Sequence, residues 1–260
     1  MIPKDIYLIR KKRAEELYEK GDYLNAIEQF KSLLEKTKND DDSGGYFDIL
    51  FNLGKCFKAL GNPQEARKYY HQGLNEVLRL NTNENIKTIQ NTLQFGLMQT
   101  YIDTGNYENA QEICLSVLKS AKEIGDLSTA CAANSQLALI ASRLNHLTEA
   151  IERYKFSENC FTKLNDKPNL IVCKHQLGRM YEQLKDWNGA EQCYREVAEL
   201  TESVGDKKGL VKISGNLALV FELSGKFQDA IEWYRQAIKI GKEIGDMVEV
   251  AEKISNLANT

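Results

Sequence analysis

The stretch LGRMYEQLKDWNGAEQCY, Leu177–Tyr194, places small and large apolar residues at regular intervals on both sides of Lys185. Gly178 and Tyr181 lie three residues apart, so they share one face of a helix that ends near Lys185. Ala190 and the tyrosine four residues after it share one face of a second helix. The stretch therefore predicts two amphipathic helices joined by a tight turn.

The same arrangement returns along the chain at an interval close to 40 residues. An alanine follows each turn position by five residues, and a large residue or a cysteine follows the alanine by four. The turn positions are Gly21, Gly61, Gly105, Asn145, Lys185 and Gly225, and the alanines are Ala26, Ala66, Ala110, Ala150, Ala190 and Ala230. One helix pair cannot bury its own apolar face, so the pairs are predicted to stack on their neighbours. We call the first helix of each pair helix A and the second helix B.

A second repeated feature is the joint between successive helix pairs. The tetrapeptide EIGD occurs at 123–126 and again at 243–246, and Gly-Asp or Asn-Asp pairs occupy 125–126, 165–166, 205–206 and 245–246. Glycine or asparagine can adopt the left-handed conformation that closes a helix, and the following aspartate can cap the next one. These pairs are therefore predicted to be structural joints rather than sites of chemistry.

The pattern Leu-Gly/Ala-x-x-Tyr/Phe, then Gly-x-Tyr/Phe-x-x-Ala-x-x-x-Tyr, resembles the tetratricopeptide repeat. The stretch LGKCFKALGNPQEARKYY, Leu53–Tyr70, carries it almost whole, as does Leu177–Tyr194. The usual repeat has 34 residues, and the longer period is similar to the repeats of LGN/Pins and rapsyn-like proteins. The resemblance covers about residues 4–258 and implies an all-α, right-handed superhelical solenoid of antiparallel helix pairs.

The repeat register also predicts the organisation of the chain. A single solenoid is expected over residues 1–260, with a capping or truncated helix at 247–260. An acidic link, NDDDSGG, follows the first repeat at 39–45, and four extra residues fall within about Asn81–Asn91. The repeats are expected at about 4–40, 46–82, 90–125, 130–165, 170–205 and 210–245.

Composition argues against several classes of function. The net charge of −3 lacks the basic surplus of a nucleic-acid binder, and no apolar run is long enough for membrane insertion. The N-terminus has no apolar core followed by a cleavage site, and neither a Cys-x-x-Cys pair nor an Asn-x-Ser/Thr acceptor occurs. We therefore expect a cytoplasmic protein that binds no nucleic acid.

The sequence offers no catalytic constellation. Phosphate-binding glycine motifs and His-Glu-x-x-His are absent, and His71, His146 and His175 occupy different repeat positions. The stretch NDDDSG at 39–44 lacks the glutamate that a calcium loop needs at its twelfth position, where Leu50 stands. We predict that the protein is not an enzyme and holds no cofactor or metal.

The resemblance implies that the A helices line a concave groove that binds peptides or helices. The A-helix face opposite the core is rich in amides and cations, which pair with peptide backbone and with carboxylates. An acidic peptide partner is therefore favoured, although the same residues could be no more than a solvated face. The predicted groove residues are Asn52, Lys55, Gln99, Gln136, Arg143, Gln176, Arg179, Lys212 and Asn216.

These observations predict a non-catalytic protein-protein interaction scaffold that binds a peptide or helical segment, with a peptide-sensing regulatory module as the alternative. Self-association through the C-terminal helix is a further hypothesis, compatible with either function.

Overall fold

Thirteen α-helices and no strand occupy residues 4–37 and 43–259, the residues that this computed structural model describes. The odd-numbered helices α1 to α11 are A helices, the even-numbered helices are B helices, and α13 follows as a further helix of the A type. The predicted all-α repeat solenoid of antiparallel helix pairs is confirmed. The helices are α1 (Lys4–Glu19), α2 (Tyr23–Thr37), α3 (Ser43–Ala59), α4 (Pro63–Val77), α5 (Glu84–Asp103), α6 (Tyr107–Glu123), α7 (Leu127–Arg143), α8 (Leu147–Lys163), α9 (Lys167–Gln183), α10 (Trp187–Ser203), α11 (Lys207–Leu223), α12 (Phe227–Ile244) and α13 (Met247–Asn259).

The turns between helices have the backbone conformation that the pattern predicts. Every predicted turn position from Gly21 to Gly225 has a positive φ, including Lys185 at 58° and Asn145 at 63°. At the joints, the Asp126 and Asp206 carboxylates accept hydrogen bonds from the Thr129 and Gly209 amides at 3.0 and 2.8 Å. The left-handed residue ends one helix, and the aspartate caps the first turn of the next.

The repeated alanines mark where two helices approach most closely. All six, Ala26 to Ala230, are completely buried, and the aromatic residue four positions later is buried with them in five of the six repeats. A Cβ atom on Gly178 would lie 2.5 Å from the Tyr194 ring, so the small residue of helix A makes room for that tyrosine. The residues that carry the repeat pattern are therefore the ones that pack neighbouring helices against each other.

The described residues divide into two compact units at the Ala133–Asn134 boundary. Within the first unit, α1 to α6 contact one another in chain order, and within the second unit so do α8 to α13. The predicted acidic link at 39–45 lies partly outside the described residues, and α3 already begins at Ser43. The assignment of all 260 residues to one solenoid stays a prediction.

Candidate functional site

The predicted groove residues all lie on A helices, and none of them is fully buried. They fall on two surfaces, one in each unit, because the A helices of both units carry them. The first A-helix surface comprises Lys11, Asp48, Asn52, Lys55, Lys58, Gln99 and Asp103. The second A-helix surface comprises Gln136, Arg143, His175, Gln176, Arg179, Glu182, Lys212 and Asn216.

Asp48 is the centre of the first A-helix surface. Its carboxylate forms an ion pair with Lys11 of α1. The Asn52 side-chain amide donates hydrogen bonds to the Asp48 carbonyl at 3.0 Å and to its carboxylate at 3.4 Å. Burial alone would lower the pKa of Lys11, but the hydrogen bond and charge of Asp48 outweigh it and raise that pKa. Lys11 and the Asn52 amide group are thus already engaged within the protein.

The other cations of this surface also have partners. The Lys55 ammonium lies 4.6 Å from the centre of the Tyr18 ring and 5.9 Å from that of Phe51. The Lys58 ammonium lies 3.2 Å from the Asp103 carboxylate of α5. The ion pairs offset the charges of Lys11 and Lys58, and the cation–π contacts hold Lys55 against the rings without cancelling its charge. The first A-helix surface is therefore close to neutral.

An apolar cavity of about 150 Å³ opens between α3 and α5 beside Asp48. The Thr88 and Thr92 hydroxyls, which line it, both donate to backbone carbonyls of their own helix. The cavity is therefore poor in free polar groups and suits an apolar side chain. Its other lining residues are Phe47, Asp48, Phe51, Ile89 and Leu93.

On the second A-helix surface, a contact between neighbouring A helices joins two polar residues. The Asn216 amide nitrogen of α11 lies 3.0 Å from the His175 Nε2 of α9. Burial, with a smaller contribution from Arg179, lowers the pKa of His175 from its ordinary value of 6.5. A neutral imidazole can accept the amide hydrogen at Nε2, so this pairing requires unprotonated His175.

Three cations distinguish the second surface from the first. Arg143, Arg179 and Lys212 are all exposed, and among the described residues none of them has a hydrogen bond or an ion pair. Burial raises the pKa of Tyr154, whereas Arg179 and Arg143 both act to lower it, so both guanidinium groups are within electrostatic range of its hydroxyl. Lys212 lies one helical turn before Asn216, on the same face of α11.

A carboxylate accompanies these cations at the end of α9. The Tyr194 hydroxyl donates to the Glu182 carboxylate at 2.7 Å, and Tyr234 and Glu222 repeat the arrangement at 3.1 Å. Burial raises the pKa of Glu182, and the Tyr194 hydrogen bond and Arg179 oppose the shift. The second surface therefore combines amides, three cations without an ion pair among the described residues, and a carboxylate that accepts a tyrosine hydrogen bond. Such groups can bind carboxylates and peptide backbone.

Sequence reasoning missed Lys174, which is nearly buried between three helices. Its ammonium forms ion pairs with Glu158 of α8 and Glu196 of α10. Burial would lower the pKa of Lys174, but the two carboxylates raise it overall. The sequence does contain one indication of this role, because Lys174 is a charged residue at a repeat position where other repeats have Asn134 and Ser214. The role of Lys174 is structural, since both of its partners belong to the protein.

A B-helix cavity of about 550 Å³ lies along α4 and is lined mainly by side chains of that helix. Of its cations, Lys68 and Arg79 pair with Glu65 and Glu76 of α4. Its other arginine, Arg67, lies over the ring of Tyr101 at 5.1 Å.

In the part of the chain that the structure describes, no cluster of His, Cys, Asp or Glu could hold a metal ion. The same described residues contain no helix with the length and apolarity of a membrane span.

Tetratricopeptide-repeat family models match residues 11–74, 128–203 and 170–243. These ranges together cover more than half of the chain. The chain therefore belongs to the tetratricopeptide-repeat family. No curated protein sequence matches it.

Solved structures share the fold at low sequence identity. BtubC (BKLC) from P. vanneervenii has a TM-score of 0.73 and 18% identity over 86% of this chain and 90% of that one. A Rap protein complexed with competence and sporulation factor has a TM-score of 0.72 and 16% identity over 100% of this chain and 76% of that one. The Rap conjugation gene regulator of plasmid pLS20, in complex with the Phr* peptide, has a TM-score of 0.70 and 14% identity over 96% of this chain and 67% of that one.

Proposed function

We propose that the protein is a non-catalytic interaction module that binds an acidic peptide or helical segment on the second A-helix surface. The observation that carries this proposal is the set of exposed cations Arg143, Arg179 and Lys212, which have no ion-pair partner among the described residues. Carboxylates of a ligand would neutralise them by charge-assisted hydrogen bonds. The family and the peptide-bound Rap regulator support binding of a peptide, and the charge supports an acidic one.

Side-chain amides beside the cations provide a second kind of contact with the ligand. Gln176 lies on the same helix as Arg179. Asn216 lies one turn after Lys212, and its contact with His175 uses one N–H group and leaves the other N–H and the carbonyl oxygen. Side-chain amides both donate and accept, so they can pair with the backbone of a bound segment. An acidic ligand would thus be held by its side chains at the cations and by its main chain at the amides.

The ligand is expected to keep clear of the nearby carboxylate. Glu182 is engaged by the Tyr194 hydroxyl, and burial raises its pKa. Arg179 lies close enough to influence that pKa. We therefore place the ligand carboxylates nearest Arg143 and Lys212, with Arg179 shared between the ligand and Glu182.

A peptide array tests this function. Short peptides rich in Asp and Glu, and the same peptides with Asn and Gln in their place, are probed with the wild type and with the variant Arg143→Gln/Arg179→Gln/Lys212→Gln. The proposal expects acidic peptides to bind the wild type and the triple variant to lose that binding. Equal binding of neutral peptides, or an unaffected triple variant, would overturn it.

The alternative is a peptide-sensing regulatory module, in which the bound peptide changes the arrangement of the helices. Its support is that two structural neighbours are Rap proteins complexed with competence and sporulation factor or with the Phr* peptide. Small-angle scattering of the free protein and of its complex with a peptide from the array separates the two functions. A scaffold keeps its radius of gyration when the peptide binds, whereas a sensor changes it.

A further inference from the structure

Two exposed apolar residues lie among the polar side chains of the second A-helix surface. Val172 of α9 is 55% accessible, and Leu219 of α11 is 42% accessible. The helices that pack on α9 and α11 are present in the same unit, since α9 contacts α10, and α11 contacts both α12 and α13. The two apolar side chains therefore stay open to solvent after the repeats have packed, and they are available to a ligand.

The order of the side chains is opposite on the two helices. On α9, Val172 lies one turn before Gln176, and Arg179 lies one turn after it. On α11, Lys212 lies one turn before the equivalent amide residue, and Leu219 lies one turn after it. On each helix an apolar residue and a cation thus flank an amide, but the cation comes last on α9 and first on α11.

A contact between α9 and α11 fixes the register of these residues. The Asn216 amide nitrogen lies 3.0 Å from Nε2 of His175, the residue before Gln176, so the amides of the two helices lie at the same level. Neighbouring A helices run in the same direction, because the B helix between them is antiparallel to both. The cation of each helix therefore lies at the level of the apolar residue of the other, and cations and apolar residues alternate around the two amides.

The equivalent positions of the first unit carry no apolar side chain. In α3 and α5 they are Asp48, Lys55, Thr92 and Gln99. The helix pairs pack in that unit without an exposed apolar residue at these positions, so packing does not require one. The alternation of apolar residues and cations is therefore a property of the second A-helix surface rather than of the repeat.

We infer that the second A-helix surface selects a segment in which acidic residues alternate with bulky apolar ones, and that Val172 and Leu219 determine this selectivity. The inference rests on the proposed function, since it concerns the same ligand. An unbroken acidic run would place carboxylates against Val172 or Leu219, where they would lose hydration without gaining a partner. Apolar side chains at these points instead remove apolar surface from water, while carboxylates between them pair with Arg179 and Lys212.

Isothermal titration with three matched peptides tests this selectivity. The Asp–Leu peptide interleaves Asp with Leu, the Asp–Ser peptide has Ser in place of every Leu, and the Asn–Leu peptide has Asn in place of every Asp. The wild type should bind the Asp–Leu peptide about tenfold more tightly than the Asp–Ser peptide, because only the former buries apolar surface. The Asn–Leu peptide tests the proposed function separately, because it lacks the carboxylates.

The variant Val172→Thr/Leu219→Gln replaces both apolar side chains by polar ones of similar size. It should bind the Asp–Leu peptide about tenfold more weakly than the wild type does, and the Asp–Ser peptide within about twofold of the wild type. Leu115→Gln changes a leucine of similar exposure, 48%, on the B helix α6, and this matched control should bind both peptides as the wild type does. Far-ultraviolet circular dichroism checks that every variant keeps its helices.

The outcomes separate this inference from the proposed function. If the Asp–Leu and Asp–Ser peptides bind the wild type equally, and both more tightly than the Asn–Leu peptide, the inference is wrong and the proposed function stands. An equal loss for both acidic peptides in Val172→Thr/Leu219→Gln would also overturn the inference, because the loss would not depend on the leucines of the ligand. If the Asn–Leu peptide binds as tightly as the Asp–Leu peptide, or if none of the three binds, the proposed function fails and the inference fails with it.

Discussion

The first and second A-helix surfaces occupy the same positions of the repeat but differ in their electrostatic state. On the first, Lys11 and Lys58 pair with Asp48 and Asp103, and Lys55 lies on aromatic rings. On the second, Arg143 and Lys212 are exposed without such partners among the described residues. The difference lies in the ion pairs: aspartates of neighbouring A helices pair with Lys11 and Lys58 on the first surface, whereas among the described residues no carboxylate forms an ion pair with Arg143 or Lys212.

This contrast shows that a repeat pattern determines where a side chain lies, but not whether that side chain is available to bind a ligand. The packing residues are interchangeable between units, as the complete burial of both Ala66 and Ala190 shows. The surface residues are not interchangeable, because the partners of each one depend on which residue of the next repeat lies beside it. Binding is therefore expected to be concentrated in one unit although the fold repeats throughout.

The largest expected effect tests the shared core. Ala66→Phe and Ala190→Phe each force an aromatic ring into a completely buried helix contact. Each should lower the free energy of unfolding by about 3 kcal/mol, because a packed core has no room for the added volume. Urea denaturation followed by circular dichroism measures the loss. A large effect in one unit and none in the other would contradict the equivalence of the two cores.

A smaller effect is expected from the tyrosines that follow these alanines. Tyr194→Phe removes a hydrogen bond to the partly buried Glu182 and should lower the unfolding free energy by about 1–2 kcal/mol. The Tyr70 hydroxyl is buried without a partner among the described residues. Tyr70→Phe should therefore be neutral or stabilising, since it relieves an unsatisfied polar group. The same urea denaturation compares Tyr194→Phe with Tyr70→Phe. Equal losses of unfolding free energy in the two variants would contradict this expectation.

The smallest effect is a pH dependence confined to the second unit. Burial lowers the pKa of His175, so the unfolded chain binds the proton more readily than the folded one below the ordinary value of 6.5. The stability of the wild type should therefore fall as the pH drops below about 6.5, by less than about 1 kcal/mol. The melting temperature at pH 7.5 and pH 5.5 measures it.

The matched variants for this pH dependence are His175→Gln and His71→Gln. The first should reduce the difference in melting temperature between the two pH values, because it removes the buried imidazole. The second changes an exposed histidine of the first unit and should retain the wild-type difference. An unchanged difference in His175→Gln would show that His175 does not couple folding to pH.

Much of the fold could be predicted because its determinants are local. The turn at Lys185 and the alanine five residues after it specify one helix pair, and the Gly205-Asp206 joint specifies the next. The pattern even predicted a turn at a lysine, where a positive φ is uncommon. Repetition along the chain then supplied the stacking of neighbouring pairs.

The electrostatic state of the candidate site could not be predicted in the same way. The periodicity placed Asn52 and Lys55 on the exposed side of α3, but not the ion pair of Asp48 with Lys11 or the position of Lys55 over Tyr18. These contacts depend on rotamers and on residues of another helix pair. The contact of Asn216 with His175, and the burial of Lys174, have the same origin.

Isothermal titration of an acidic peptide from the array tests the central claim most directly. The second-unit variant Arg143→Gln/Arg179→Gln/Lys212→Gln is compared with the first-unit variant Lys11→Gln/Lys55→Gln/Lys58→Gln, so each loses an equal number of positive charges. We predict that the second-unit variant binds about 100-fold more weakly than the wild type, and that the first-unit variant stays within about threefold of it. Equal losses in the two variants, or a larger loss in the first-unit variant, would contradict the account.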